Sequence, residues 1–369
     1  MIKYAIWGYG KIGHKFLKSA YARENQLIAI IDRAQGDKGL FVNEIPVINP
    51  EEFYSTYVDD ADTLIVTLAN GNSINNIVYD VKDHSSLKIG VLNSSKLNEA
   101  EDFSENDIYW LDNSKAFMSQ IEMAGSEKCN LNCRACSHYC TAKTEQKKID
   151  LEKLQNTLEA LKSKCDIPVF YITGGEPLLN QDLDKLVEVI ANVFDKSDLR
   201  IVSNGLLVDR QKPNLWECLK KNNVTYQMSG YPPTLDKKDT IVSILANAGV
   251  KYQFRDDVHF FYAFLSKRNN NNSRISISKC VSSSCRYLED TRIYKCPESH
   301  LIGNLKKQYP EQIDIMPDGG VDVYDDAFSE KIKKLNEPIE MCTHCSENPK
   351  KVTWKRQDDD PDINDWLTE

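Results

Sequence analysis

Hydrophobic and polar positions along the chain switch between two periods. Tyr4–Trp7 is an apolar run of strand length, Lys11–Ala22 carries apolar residues at helical spacing, and Gln26–Ile31 (QLIAII) is a second apolar run ending at Asp32. Thr63–Leu68 and Ile89–Leu92 repeat the strand pattern. Strand-length runs alternating with helix-length segments predict a parallel α/β sheet over residues 1–115. A second series opens with a strand over Ser119–Met123. A helix over 149–164 follows, in which Leu151, Leu154, Leu158 and Leu161 share one face, and then a strand Val169–Ile172. Helix 181–194, strand Leu199–Val202, helix 213–221, strand 224–228, helix 236–248 and strand 250–255 complete the series. About five β/α repeats are too few for an eight-fold barrel and suit a partial (β/α)6 TIM-type barrel over residues 116–265.

Asn269–Asn272 is expected to be an exposed turn. Residues 266–369 form a cysteine-rich extension ending in an acidic stretch, Gln357–Glu369, expected to be a loose end. The expected fold class is therefore α/β: an N-terminal Rossmann-like parallel sheet, then a partial barrel, then the extension.

Composition narrows the class. The 369 residues are 41% hydrophobic and 27% charged, which suits a globular chain of two domains with a small third. A net charge of −9 disfavours a nucleic-acid partner. No apolar run reaches the roughly 20 residues of a membrane span. The start of the chain lacks the apolar core and cleavage site of a secretory signal, so a cytoplasmic location is expected. Eleven cysteines are present, none of them before Cys129. In a reducing compartment, clustered cysteines bind metal or do chemistry more often than they pair.

Cys129-Asn-Leu-Asn-Cys133-Arg-Ala-Cys136 has the spacing C-x3-C-x2-C and follows an expected strand end. Three thiolates so close can bind three irons of a cubane and leave the fourth iron open. A structural zinc site is the alternative, with Cys140 as the fourth ligand. After a further helix and strand comes Gly174-Gly175-Glu176-Pro177. Its glycines allow close backbone approach to a ligand, and its carboxylate suits an ammonium group; a plain strand-to-helix turn is the competing reading. Together these residues resemble the radical S-adenosylmethionine (SAM) superfamily.

That resemblance implies a [4Fe–4S] cluster on Cys129, Cys133 and Cys136, with SAM chelated at the open iron. It implies a SAM site that includes Gly174, Gly175, Glu176 and Pro177, with Ser203, Asn204 and Ser229 at the ends of later strands. The activity implied is reductive cleavage of SAM to a 5′-deoxyadenosyl radical, fed by a donor such as flavodoxin or ferredoxin. The position before the third cysteine is commonly aromatic in that family. It is Ala135 here, with Tyr139 or His138 as substitutes for the adenine contact.

Cys280, Cys285, Cys296, Cys342 and Cys345 form a second set, and Cys285 and Cys296 flank a hairpin-like stretch. The pattern resembles a shortened SPASM or Twitch extension, with Thr291 in place of the usual glycine. The resemblance implies one auxiliary [4Fe–4S] cluster on Cys285, Cys296, Cys342 and Cys345, with Cys280 as an alternate. A single zinc is the competing reading. Cys165 and Cys218 are expected to be ordinary thiols.

Gly8-Tyr9-Gly10-Lys11-Ile12-Gly13 lies between strand and helix, with Asp32 at the end of the next strand, as in dinucleotide sites. The run from Trp7 to Phe53 is similar to small Rossmann-like modules of surface-polysaccharide enzymes. That similarity implies a nucleotide or nucleotide-sugar handle at Gly8, Gly10, Gly13 and Asp32, or a docking scaffold that binds nothing. The substrate expected is a small molecule, a sugar or nucleotide-linked sugar. A peptide-modifying maturase and a zinc-stabilised, non-enzymatic nucleotide-binding adaptor are the rivals.

Overall fold

The apolar runs of the first 115 residues become strands buried on both faces. In a computed structural model of the protein, residues 1–92, 103–142, 147–357 and 361–368 are described. They divide into two units. The first is Met1–Ser119 with Lys164–Val169 and Lys196–Asp198; the second is Gln120–Ser163, Phe170–Asp195 and Leu199–Glu369.

In the first unit, β1 (Lys3–Trp7), β2 (Gln26–Ile31), β3 (Phe41–Val42), β4 (Ile45–Ile48), β5 (Thr63–Val66), β6 (Lys88–Leu92) and β7 (Ile108–Trp110) form one sheet. Its order is β3-β4-β2-β1-β5-β6-β7. The central strands β4, β2, β1, β5 and β6 are parallel. Ala5, Trp7, Ile31, Leu64 and Val66 face one apolar cluster, while Tyr4, Ile6, Ile30 and Ile65 face another. Burial on both faces explains why these strands read as continuous apolar runs rather than alternating ones. The sheet grows outward from β1 through β2 and β4, then resumes on the other side of β1 at β5. The glycine loop follows β1, at this reversal. The expected helix Lys11–Ala22 is two helices, Lys11–Phe16 and Ala20–Glu24, because Ser19 caps the second through a bond from the Ala22 amide. The short strand β8 (Ala116–Phe117) closes this part of the chain.

The second unit is built on β9 (Ile121–Ser126). After β10 (Cys165–Asp166), which pairs with β8 in the first unit, come β11 (Val169–Gly174), β12 (Asp198–Ser203), β13 (Thr225–Gly230), β14 (Tyr252–Asp257) and β15 (Phe260–Leu265). β16 (Arg286–Glu289), β17 (Arg292–Tyr294), β18 (Val321–Asp322) and β19 (Cys345–Thr353) complete the set. The sheet order is β14-β13-β12-β11-β9-β16-β17-β18. Helices Leu151–Lys164, Leu183–Val193, Pro213–Lys221 and Lys238–Ala248 make the crossovers, as their apolar spacing predicts.

Two expectations change here. The sixth strand of the parallel series does not follow β14. It is β16, from the cysteine-rich region, hydrogen-bonded in parallel beside β9. β16 thereby pairs a sheet edge that would otherwise expose backbone N–H and C=O groups, and no boundary falls at residue 266. Of the acidic end, residues 358–360 and 369 lie outside the described residues, and the described part, 361–368, is not loose. Ile363, Asp365, Trp366 and Leu367 are buried. Leu265 N–H donates to Trp366 O (3.3 Å) and Thr368 N–H to Leu265 O (2.8 Å).

Register divides the sheet of the second unit into two faces. Phe170 and Ile172 stand opposite Ile121 and Met123, whereas Tyr171 and Thr173 stand opposite Glu122 and Ala124. Farther along, Val202 is level with Gln227, and Gln227 with Gln253. Arg200 Nη1 lies 3.3 Å from Tyr171 Oη, placing it on the polar face. One face is thus apolar and the other carries Glu122, Tyr171, Thr173, Arg200, Gln227 and Gln253. Among the described residues no helix is long and apolar enough to cross a membrane.

Candidate active site

The loop after β9 carries Cys129, Cys133 and Cys136, and it is fixed from below by the loop after β11. Gly174 has a φ of +101°, a conformation that side chains disfavour. A Cβ on Gly175 would lie 2.2 Å from Lys128 O. The two glycines therefore allow the loops to touch backbone to backbone. Gly175 N–H donates to Ser126 O (2.7 Å) and Glu176 N–H to Lys128 O (2.8 Å).

The Glu176 side chain departs from expectation. It is 0% exposed. Its carboxylate accepts from Leu178 N (3.0 Å), Ser203 Oγ (2.7 Å) and Asn204 N (2.8 Å). Tyr226 Oη donates in turn to Ser203 Oγ (2.7 Å). Burial raises the Glu176 pKa, opposed by the bonds from Ser203, Asn204 and Leu178. Glu176 and Ser203 are thus an internal clamp joining the ends of β11, β12 and β13, and the carboxylate is not presented to a ligand's ammonium. Asn204 reaches the cysteine loop, donating to Asn130 Oδ1 (2.8 Å) and toward Cys129 Sγ (3.9 Å). Pro177 starts a buried 3-10 turn, and Ser229 is half-buried at the end of β13.

Each of the three loop thiols has a donor of its own. Cys129 Sγ also faces Leu131 N (3.5 Å), and Trp354 Nε1 donates to Cys133 Sγ (3.1 Å). The bond from the Cys140 thiol is the largest influence on Cys136 and draws its pKa down to about 7. Burial pushes Cys129 up to about 11 and Cys133 higher still. The donors work toward the thiolate forms that iron ligation requires, but only at Cys136 do they outweigh burial. Among the described residues, no group of three or more His, Cys, Asp or Glu side chains is drawn in around a single ion.

Of the two expected aromatic substitutes, one is closed off. Tyr139 is 0% exposed, its ring packed on Trp366. His138 is held neutral by burial, its pKa lowered to about 4. Ala135 is small because Ala263, Val352 and Phe261 fill the space beside it. The aromatic rings at the site are Tyr231 and Trp354, with centroids 6.0 Å apart. Sequence reading missed both, since nothing local ties them to a loop so distant along the chain.

On the polar face, Glu122 accepts from Thr173 Oγ1 (3.1 Å) and lies 4.0 Å from His138 Nε2. Burial, then the charge of Glu298, raises its pKa to about 8. Glu298 is itself buried and accepts from Ser282 Oγ (2.8 Å).

The second cysteine set gathers differently from expectation. Cys280, Cys296, Cys342 and Cys345 line one small cavity, together with Lys295. Cys285 is not in that lining; its sulfur accepts from Gln120 Nε2 (3.2 Å). The spacing to the hairpin misled, because the loop between Cys280 and β16 turns Cys285 toward β9. Lys295 is 2% and Arg286 1% exposed. Burial and the Arg286 charge lower the Lys295 pKa to about 8. Two buried cations beside four thiols suit a site that carries negative charge when loaded. All the cysteines are free.

In the first unit, Gly8 has a φ of +116°, and a Cβ on Gly13 would lie 2.2 Å from Gly8 O. Both glycines serve the turn itself. A Cβ on Gly10 would meet nothing within 4 Å. Asp32 is half-buried, and its carboxylate accepts from Tyr9 N (2.9 Å), Ala34 N (3.0 Å) and Gln35 N (3.1 Å).

Comparison with known proteins adds a family. Residues 123–252 match the family model described as the radical SAM superfamily. The probable GTP 3',8-cyclase of Archaeoglobus fulgidus is 30% identical over 109 residues, covering 29% of this chain and 35% of that protein. The GTP 3',8-cyclase of Campylobacter jejuni is 26% identical over 184 residues, covering 47% and 56%. The chain thus spans between a third and just over half of the curated relatives it matches. Among solved structures, BtrN in complex with AdoMet and 2-DOIA has a TM-score of 0.38 at 19% identity, covering 63% of this chain and 94% of that one. Streptococcus suis SuiB bound to S-adenosylmethionine has a TM-score of 0.31 at 20% identity, covering 38% and 34%.

Proposed function

We propose that the protein, whose residues 123–252 match the radical SAM superfamily model, is an enzyme that cleaves SAM reductively and takes a hydrogen atom from a sugar or nucleotide-linked sugar. The observation that carries the reading is the loop after β9, where three cysteines each meet a separate donor. Cys129, Cys133 and Cys136 would hold a [4Fe–4S] cluster. When bound, that cluster would supply the one electron that reductive cleavage of SAM to methionine and a 5′-deoxyadenosyl radical requires.

The chain's own residues do the rest. Gly174 and Gly175 bring the loop after β11 against the base of the cysteine loop, and the Glu176–Ser203 clamp holds that junction. Tyr231 and Trp354 would help shield the reacting centre from water. Ser229, half-buried at the end of β13, would meet SAM.

Support for a hydroxyl-bearing substrate comes from the polar face, where Glu122, Thr173, Gln227 and Gln253 offer acceptors and donors in place of an apolar lining. Support for a nucleotide handle comes from the first unit, whose parallel strands run third-second-first-fourth-fifth, with a glycine loop at the reversal. Cys280, Cys296, Cys342 and Cys345 are the proposed ligands of an auxiliary cluster.

The test is to incubate the reduced, cluster-loaded protein with SAM and a panel of nucleotide-sugars and peptides, measuring 5′-deoxyadenosine. Stimulation by a nucleotide-sugar is expected. Stimulation by peptides alone would reject the sugar reading and favour a peptide-modifying enzyme.

A further inference from the structure

The cysteine loop is strained, and the contacts that relieve it come from the far end of the chain. Asn132 and Ala135 have φ angles of +52° and +57°, the left-handed region that non-glycine residues rarely adopt. Such conformations persist where the surroundings over-determine them. Here the surroundings are two stretches that follow β19. Gln357 N–H donates to Asn132 O (2.8 Å), Arg134 N–H donates to Lys355 O (3.0 Å), and Cys133 bridges to Arg356. Asn132 Nδ2 returns a bond to Gln357 O (2.9 Å).

The last residues add a second layer. Arg134 pairs with Asp365, which also accepts from Gln357 Nε2 (3.2 Å). Trp366 Nε1 donates to Cys136 O (2.9 Å) from a position 2% exposed. Between these contacts, Trp354 Nε1 points at Cys133 Sγ (3.1 Å).

We propose that Trp354–Gln357 and Ile363–Thr368 form a strap that holds the cysteine loop in its ligating conformation, with Trp354 as a positioning residue that tunes the electron-transfer potential of the cluster through Cys133. The physical basis is charge. Reduction adds an electron to the cluster, and a hydrogen bond to a ligand sulfur stabilises the more negative state, so each such donor raises the potential. The strap has a separate effect on retention, because a loop free to leave the left-handed conformation releases its irons faster. This inference rests on the assignment of the cluster to Cys129, Cys133 and Cys136.

The test uses the full-length, anaerobically loaded protein and two variants, Trp354→Phe and Asp365→Asn. Potentials are read from the reduced-cluster EPR signal that changes on adding SAM. Retention is read as the rate of iron loss to a chelator. Trp354→Phe keeps a ring but loses the donor, and its midpoint potential is expected to fall. Asp365→Asn breaks the Arg134 pair and is expected to speed iron loss by about 10-fold, the usual scale for an outer-shell partner, with a smaller change in potential. A role for Trp354 in packing alone would alter retention and leave the potential where it was. Unchanged potential in Trp354→Phe, or unchanged retention in Asp365→Asn, overturns the proposal. A wild-type protein with no SAM-sensitive signal overturns the cluster assignment instead, so the two failures are distinguishable.

Discussion

Gly175→Ala isolates the junction between the two loops at the site. The added methyl would stand 2.2 Å from Lys128 O and 2.4 Å from Lys128 C. Both are backbone atoms and cannot rotate away, whereas ordinary contact begins at 3.4 Å. The loops must therefore part by more than an ångström. That opens the bonds Gly175 N–Ser126 O and Glu176 N–Lys128 O, 2.7 and 2.8 Å long. Two such bonds are worth about 1–3 kcal/mol together. Alanine returns about 0.5 kcal/mol by restricting the unfolded chain. The net cost is about 1.5 kcal/mol, or roughly 3–6 °C in the Tm of a unit this size. Cys129 is one residue beyond Lys128, so the same displacement misplaces a cluster ligand. Thermal melts and iron content after anaerobic loading are the assay, with Gly10→Ala as the control, since its methyl meets nothing within 4 Å. A Gly175→Ala protein that melts with the wild type and loads its full iron would refute the account of this junction.

Glu122 sets a pH dependence. Its carboxyl titrates near 8 in the folded protein and near 4.5 when unfolded, so the unfolded chain binds fewer protons between those values and stability falls as pH rises from about 4.5 to 8; denaturant midpoints for Glu122→Gln should decline less over that range. Cys280→Ala is expected to lose about four irons per chain, those of one [4Fe–4S] cluster, while Cys285→Ala keeps them, and an iron assay of both variants decides between the two sulfurs. Glu176→Gln puts an amide N–H₂ either against the Asn204 N–H or against the Leu178 N–H and Ser203 hydroxyl; leaving buried groups unpaired costs about 1–3 kcal/mol, read as a lower Tm. Gly10→Ala should leave the melt unchanged and weaken nucleotide binding to the first unit, measured by calorimetry, because that glycine has no steric duty within the fold.

Much of this architecture is legible in the sequence where structure is local. The apolar run Gln26–Ile31 is a strand over the same residues, and helix Pro213–Lys221 begins at its proline. The cysteine loop and the Gly-Gly-Glu-Pro turn are also local, and the structure brings them into contact. What escapes reading depends on pairing across long separations. β16 beside β9, Trp354 at Cys133 and Asp365 at Arg134 each join residues more than a hundred positions apart. The acidic stretch looked solvated by composition, yet its Ile363, Trp366 and Leu367 supply buried apolar surface that offsets its charges. Glu176 was misassigned for a related reason. A motif names the residue type, and only the neighbours at Ser203 and Asn204 reveal where its oxygens point.

The most direct measurement is EPR of the anaerobically loaded, reduced protein with and without SAM, on the wild type and on a Cys129→Ala, Cys133→Ala, Cys136→Ala variant. The wild type should give a [4Fe–4S] signal that changes when SAM is added, and the triple variant should lose that component and make no 5′-deoxyadenosine. A SAM-sensitive signal surviving in the triple variant, or a wild type that loads zinc and no iron, would contradict the assignment of the active site to this loop.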